Sequence, residues 1–138
     1  MEKTLYIVRG VSGSGKTTLA TTLARTLSED AVAVAADDYF TDQEGNYNWV
    51  AEEIAKAHDY CYILVQRLMI SGCSNIIIHN TCTREKDVKL YTEKAEFWGY
   101  KIVSLLVENR HGNKSVHGIP NHILAKQGNA LKQNIKLI

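Results

Sequence analysis

The chain has 138 residues, of which 45% are hydrophobic and 22% charged, so its composition is that of one globular domain. Its net charge of +1 excludes nucleic-acid binding through a global positive field and would require a local basic patch instead. We expect no signal peptide and no membrane span. Cys61, Cys73 and Cys82 lack CxxC spacing, which favours free thiols in the reducing cytoplasm over disulfides or a structural metal.

The first elements surround a glycine motif. An apolar run at Leu5 to Val8 predicts a strand over 4–9, and leucines at helical spacing predict a helix over 16–28. Between them, Gly10 to Thr17 read Gly-Val-Ser-Gly-Ser-Gly-Lys-Thr, of the form GxxxxGK[ST]. A strand, a glycine loop and a helix in this order are typical of a phosphate-binding loop, whereas a glycine-rich turn with an unrelated lysine is the alternative.

Each residue type in this loop has a physical reason to be there. Gly10, Gly13 and Gly15 are expected to allow positive φ and close approach of the main chain to a polyphosphate, whose oxygens then accept the converging N–H groups. Lys16 is expected to reach the β- and γ-phosphates, and the Thr17 hydroxyl to bind Mg²⁺. The residues expected to bind the nucleoside triphosphate are Gly10, Ser12, Gly13, Ser14, Gly15, Lys16, Thr17 and Thr18.

Further strands and helices alternate along the rest of the chain. Strands are predicted over 31–36, 75–78 and 101–107, and helices over 50–71, 84–98 and from Pro120, with polar segments at 41–48 and 109–119. Gly72 is the expected C-cap of the second helix. This alternation predicts an α/β fold with three layers, α/β/α, around a mostly parallel sheet of four to five strands, in one domain over 1–138.

Polar residues follow the predicted strands, where ligands of parallel sheets bind. Asp37 and Asp38 follow the second strand, and Asn80 follows the third. Asp37 can serve as a general base that takes the proton of an attacking hydroxyl, or can bind Mg²⁺ through water. The alternative is that both aspartates cap or begin a loop, which is common for this residue type.

Three segments together resemble the polynucleotide-kinase-type P-loop kinases, a family that includes the kinase domain of a phage end-healing enzyme. They are Asp37-Asp38-Tyr39-Phe40, Ile76 to Thr81, and Val116 to Pro120. Small proteins of this family share two further features, matched here by Gly45-Asn46-Tyr47 and Ala57-His58. The resemblance covers almost the whole chain, and the ordered set of motifs is more specific than the glycine loop alone.

The resemblance implies a P-loop NTPase or kinase fold and an ATP- and Mg²⁺-dependent phosphotransferase. By position, Lys16 and Thr17 would hold the triphosphate and Mg²⁺, and Asp37 would be the general base. The segment 109–119 would be a lid, on which Arg110 and Lys114 would stabilise charge in the transition state. The catalytic residues implied are therefore Lys16, Asp37, Arg110 and Lys114.

The sequence departs from the family at three positions. Phe40 stands where the phage enzyme has an arginine that grips a substrate phosphate, His79 stands near the place of a third-strand aspartate, and Lys114 replaces a common arginine. The expected acceptor-binding residues are Asp38, Phe40, His79 and Thr81. Aromatic side chains after the second strand either stack on a base or belong to the core; they are Tyr39, Phe40, Tyr47 and Trp49.

Three classes of function stay open at this point. The favoured one is an ATP-dependent kinase that phosphorylates a hydroxyl of a nucleic acid or nucleotide, with a variant acting on a hydroxymethylated base in DNA or another small alcohol. The second is an NTPase or nucleotide-binding switch module without kinase activity. The third is a non-catalytic interaction protein, against which the intact Lys16-Thr17 pair argues.

Overall fold

The computed structural model describes residues 2–110 and 118–138. Four strands and four α-helices alternate along these residues, with two short 3₁₀ helices, Ala36–Phe40 and Ala51–Glu53, between the second strand and the second α-helix. The elements are β1 (Thr4–Arg9), α1 (Lys16–Leu27), β2 (Val32–Val34), α2 (Ile54–Ser71), β3 (Asn75–Ile78), α3 (Glu85–Phe97), β4 (Lys101–Leu106) and α4 (Asn121–Gln133).

The four strands form one sheet in the order β2-β3-β1-β4, and every pair is parallel. Thr4 in β1 lies opposite Asn75 in β3 and Lys101 in β4, so the central strand is flanked in register on both sides. The carboxyl ends of all the strands therefore meet at one edge. The predicted α/β fold around a parallel sheet is confirmed, with four strands among the described residues.

Alternating side chains of the central strands divide the core between the two faces of the sheet. Leu5 and Ile7 of β1 face α2 and α3 together with alternate residues of β3, whereas Val8 and Ile77 pack with Ala20 of α1 on the opposite face. All five side chains are fully buried. Strands that are apolar on both faces are typical of a sheet covered by helices on both sides.

β2 is shorter than predicted because side chains, not a neighbouring strand, bind the main chain that follows it. The N–H of Ala35 donates to Oδ2 of Asp38 at 3.0 Å, and the N–H of Ala36 donates to Oδ1 of Asn80 at 2.7 Å. The chain then turns into the 3₁₀ helix Ala36–Phe40 instead of continuing as a strand to residue 36. This turn brings Asp37 out at the carboxyl edge of the sheet.

The other predicted boundaries differ by little. α2 begins at Ile54, after the 3₁₀ turn Ala51–Glu53, and ends at Ser71, and Gly72 with its φ of 81° confirms the predicted C-cap. Pro120 is the N-cap of α4. The predicted lid at 109–119 lies largely outside the described residues, and the single-domain assignment stays a prediction. None of the described helices is long and apolar enough to cross a membrane, and all three cysteines are free thiols.

Candidate active site

The glycine motif connects β1 to α1 at the carboxyl edge of the sheet. Gly13 and Gly15 have φ angles of 82° and 106°, which confirms the expected left-handed backbone at these two positions. Gly10 does not share it, so that expectation was wrong for Gly10. Its need for glycine is steric instead, because an added Cβ would lie 2.6 Å from Oγ of Ser14 and 2.8 Å from the carbonyl oxygen of Val107.

Lys16 begins α1 and lies across the loop. Only 8% of its surface is exposed, and its Nζ donates a hydrogen bond to the carbonyl oxygen of Val11 at 2.9 Å. Burial lowers the pKa of Lys16 to about 8, although the negative charge of Asp37 opposes the shift. The ammonium of Lys16 is thus poorly solvated, and a bound phosphate would stabilise its positive charge.

Thr17 meets the end of β3. Its Oγ1 lies 3.4 Å from Nδ1 of His79, the residue near the place of the family's aspartate. Burial lowers the pKa of His79, although the negative charges of Asp38 and Asp37 act in the opposite direction. Thr17, Asp37 and Asp38 line the same cleft, and hydroxyl and carboxylate oxygens are ligands that Mg²⁺ prefers. These residues therefore fit the predicted ion.

The two aspartates after β2 have different surroundings. Asp38 accepts the N–H of Ala35, so its carboxylate holds the turn that ends the strand. Asp37 instead accepts a hydrogen bond from the hydroxyl of Tyr47, with 3.3 Å between Oη and Oδ1. Burial, followed by the charge of Asp37, raises the pKa of Tyr47 to about 12, so its hydroxyl keeps its proton and remains the donor. Both aspartates line the cleft, and capping of the turn accounts for Asp38, whereas Asp37 is hydrogen-bonded by Tyr47.

The loop and the strand ends enclose a cleft of about 500 Å³. Of the residues predicted from the sequence, those that line it are Ser12, Gly13, Gly15, Lys16, Thr17, Thr18, Asp37, Asp38, His79 and Thr81. Phe40 does not line it: only 7% of Phe40 is exposed, and its ring packs edge-on against Tyr39 at 5.3 Å between centroids. This burial corrects the expectation that Phe40 contacts an acceptor. Gly10 and Ser14 also lie outside the lining, and Ser14 is buried.

Of the two cations predicted for the lid, Arg110 is among the described residues and Lys114 is not. Arg110 is exposed, forms an ion pair with Glu108 and is absent from the lining of the cleft. Lys114 lies outside the described residues. Their predicted contribution to catalysis stays a prediction.

Gln127 is a contact of the loop that sequence reasoning missed. From α4, its Oε1 accepts the N–H of Ser12 at 2.9 Å, and its Nε2 donates to Oγ of Ser12 at 3.2 Å. Gly128 lies beside it, and a Cβ there would meet Cγ1 of Val11 at 3.8 Å. α4 therefore supports the glycine loop directly. Nothing in the local sequence distinguishes this glutamine from a surface residue.

Replacing Gln127 by alanine is expected to lower the free energy of unfolding by about 1–2 kcal/mol, because two hydrogen bonds to Ser12 are lost together. Urea denaturation monitored by circular dichroism measures the change. The matched control is Gln133→Ala, which removes an exposed glutamine from the last turn of the same helix. Equal losses in the two variants would show that the bonds to Ser12 contribute nothing beyond helix propensity.

Comparison with protein families matches residues 5–112 to the AAA domain. Among curated proteins, NEDD4-binding protein 2 of Homo sapiens is 32% identical over 102 residues, which cover 72% of this chain and 6% of that protein. An uncharacterized protein of Pasteurella multocida is 25% identical over 137 residues, covering 88% of this chain and 73% of its own length. The chain thus spans a small part of the first relative and most of the second.

Solved structures share the fold at low sequence identity. A chain of the Pnkp1/Rnl/Hen1 complex is 22% identical, with a TM-score of 0.61, over 91% of this chain and 38% of that chain. Mycobacterium tuberculosis APS kinase CysC, in complex with AMPPNP and APS, is 14% identical over 77% of this chain and 62% of its own, with a TM-score of 0.55. A gluconokinase of Sinorhizobium meliloti is 15% identical over 93% of this chain and 74% of its own, with a TM-score of 0.59.

The family match covers both the glycine loop and the aspartates after β2, and the structural neighbours share the fold. The chain accordingly belongs to the AAA-domain family, and its parallel sheet around the glycine loop is a P-loop NTPase/kinase fold.

Proposed function

We propose that this protein is an ATP-dependent kinase that transfers the γ-phosphate to a hydroxyl of a nucleic acid or nucleotide. The observation that carries the proposal is that Asp37 faces the same cleft as Lys16 and Thr17. A phosphate loop alone needs no carboxylate at this place. A carboxylate beside the terminal phosphate can take the proton of an attacking alcohol, as the general base of a phosphotransferase does.

In the proposed mechanism, the amides of the glycine loop and Lys16 bind and orient the triphosphate. Thr17 would hold Mg²⁺, and the ion would neutralise charge on the phosphates. Asp37 accepts the proton of the acceptor hydroxyl while the hydroxyl oxygen forms the new bond to the γ-phosphorus. The bond from that phosphorus to the β–γ bridging oxygen breaks, and ADP leaves with the electron pair.

The hydrogen bond from Tyr47 supports this role for Asp37. A hydroxyl that donates to Oδ1 fixes the orientation of the carboxylate at the wall of the cleft. Asp38, His79 and Thr81 line the same cleft and are proposed to contact the acceptor. Arg110 and Lys114 are proposed to stabilise the charge of the transferring phosphoryl group from the lid. The free thiols fit the predicted cytoplasmic setting.

The acceptor has two candidate classes. A chain of the Pnkp1/Rnl/Hen1 RNA repair complex is a structural neighbour, which supports a polynucleotide acceptor. The buried Phe40 favours the variant in which the acceptor is a hydroxymethylated base in DNA or another small alcohol, because no cation at this position can grip a substrate phosphate. A gluconokinase among the neighbours is consistent with a small alcohol.

A transfer assay with ATP labelled at the γ-phosphate tests the proposal. The acceptors are 5′-hydroxyl DNA, 5′-hydroxyl RNA, DNA with hydroxymethylated bases, nucleosides, mononucleotides and sugar alcohols. We expect label on at least one of them, with the 5′-hydroxyl ends preferred, and about 100-fold or more slower transfer by Asp37→Asn. Release of inorganic phosphate alone, with no labelled acceptor, would indicate a nucleotide-hydrolysing switch module instead of a kinase.

A further inference from the structure

Two aromatic side chains line the cleft on the side of Asp37. Trp49 is 51% exposed and Tyr47 is 36% exposed, although both belong to the wall of a concave site. Large aromatic side chains lose favourable burial when they remain in water. Because these two side chains lie in the same cleft as Lys16 and Asp37, a ligand in that cleft has an exposed aromatic surface within reach.

The main chain that carries these rings is held by its own hydrogen bonds. Thr41 pairs with Tyr47 in an antiparallel bridge, and the N–H of Asn48 donates to the carbonyl oxygen of Phe40 at 2.9 Å. The carboxylate of Asp42 accepts the N–H groups of Glu44 and Asn46, each at 2.9 Å, which lowers the pKa of Asp42. The segment is therefore a built hairpin whose aromatic residues are presented in advance of binding.

The position of Tyr47 is fixed by a ring contact and by a hydrogen bond of its hydroxyl. Its ring packs against buried Phe40 at 6.3 Å between centroids, with an interplanar angle of 73°, and its hydroxyl donates to Asp37. Tyr47 thus connects the hairpin to the proposed general base. A ligand on this wall would consequently lie next to the carboxylate that accepts the proton.

The charges of the residues that line the cleft indicate which part of a ligand binds beside Trp49 and Tyr47. Among the described residues that line the cleft, Lys16 is the only lysine or arginine, whereas Asp37 and Asp38 are both acidic. A phosphate of the acceptor beside the aspartates would be repelled, because Lys16 is already engaged by the phosphates of the donor. A flat, uncharged ring would instead gain contact with the exposed indole, because stacking on an aromatic side chain is open to every nucleobase.

We propose that Trp49 and Tyr47 form a stacking platform for the nucleobase of the acceptor. Resting on the proposed kinase function, this inference defines the acceptor as an alcohol that carries a base. The base lies on the indole of Trp49, and its sugar directs a hydroxyl toward Asp37. Specificity for the kind of base is low, because stacking does not read hydrogen-bonding edges.

Trp49 can be observed by fluorescence because the chain has only two tryptophans. The other, Trp98, packs against the core beside Phe97, so Trp98→Phe leaves Trp49 as the sole tryptophan. The probes are a 5′-hydroxyl DNA trinucleotide and the same trinucleotide with an abasic sugar at its first position. We expect the first to quench Trp49 and to bind at least about tenfold more tightly than the abasic probe. Equal affinities would overturn the proposal.

Variants at position 49 provide the second measurement. With Trp98 intact, Trp49→Ala is expected to weaken binding of the trinucleotide about tenfold or more, measured by anisotropy of a 3′-labelled probe, while Trp49→Phe keeps most of the affinity. Binding of AMPPNP should be the same in both variants. Quenching of Trp49 by AMPPNP alone would assign the platform to the base of the donor and overturn the proposal.

These measurements separate the platform from the kinase function. Binding of the base-bearing trinucleotide in the absence of any phosphoryl transfer would sustain the platform and remove the kinase assignment. Efficient phosphorylation of sugar alcohols, with no preference for the base-bearing trinucleotide, would keep the kinase and remove the platform.

Discussion

Replacing Asp37 by asparagine is expected to reduce phosphoryl transfer about 100-fold or more while ATP still binds. Asparagine has nearly the same size, and its amide oxygen can still accept the hydrogen bond that Tyr47 donates at 3.3 Å. It cannot take a proton from the acceptor, so the loss appears in the rate of transfer and not in the binding of the donor. Single-turnover transfer and calorimetric titration with AMPPNP measure the two quantities separately.

Asp38→Asn is the matched control for this experiment. Asp38 lines the same cleft, but its Oδ2 accepts the N–H of Ala35, a bond that an asparagine amide oxygen can preserve. Because asparagine keeps this bond and can still hydrogen-bond an acceptor, Asp38→Asn is expected to lose much less of the transfer rate than Asp37→Asn. If calorimetry instead showed that Asp37→Asn loses affinity for the nucleotide, Asp37 would be a metal-binding or structural residue. Equal loss of transfer in both variants would contradict the assignment of Asp37 as the general base and of Asp38 as the residue that caps the turn.

The parts of this structure that the sequence predicted are those set by nearby residues. The glycine spacing and the strand and helix patterns beside it depend on backbone sterics and on periodicity, so they can be interpreted without knowing the fold. They sufficed to predict β1, α1 and a cleft at the carboxyl edge of the sheet. The same reasoning placed Asp37 beside Lys16, because parallel strands end at one edge.

Contacts between distant residues were not predictable in this way. Gln127 meets Ser12 across 115 positions, and Asn80 ends β2 by accepting the N–H of Ala36 across 44 positions. Neither residue type indicates such a partner, because the bond depends on where two elements pack. Phe40 shows the same limit, since the motif gave its position in the chain but not its burial beneath Tyr39 and Tyr47.

Replacing Lys16 by alanine is expected to abolish turnover and to weaken ATP binding greatly. Among the described residues that line the cleft, it is the only lysine or arginine available to the β- and γ-phosphates. A charged group in a poorly solvated site interacts strongly with a phosphate, and a neutral side chain leaves the developing charge without this partner. Calorimetry with AMPPNP and the γ-phosphate transfer assay measure both effects. Unchanged activity would remove the assignment of the whole site.

Lys16→Met separates the loss of charge from damage to the fold. Methionine fills a similar volume, and burying it does not require burying a charge. The pKa of Lys16 is lowered to about 8, so the folded protein disfavours the charged ammonium of the parent. This destabilisation of the folded protein is fully present below about pH 8. It decreases as the pH rises from about 8 toward 10.5, because in that range the folded chain has released the proton that the unfolded chain still holds. Loss of the hydrogen bond to Val11 opposes the gain, so at pH 7 we expect a free energy of unfolding within about 1 kcal/mol of the parent. If Lys16→Met is as inactive as Lys16→Ala, yet as resistant to urea as the parent, the lost turnover is assigned to the missing positive charge. Restored turnover in the methionine variant would instead mean that volume, not charge, is what position 16 supplies.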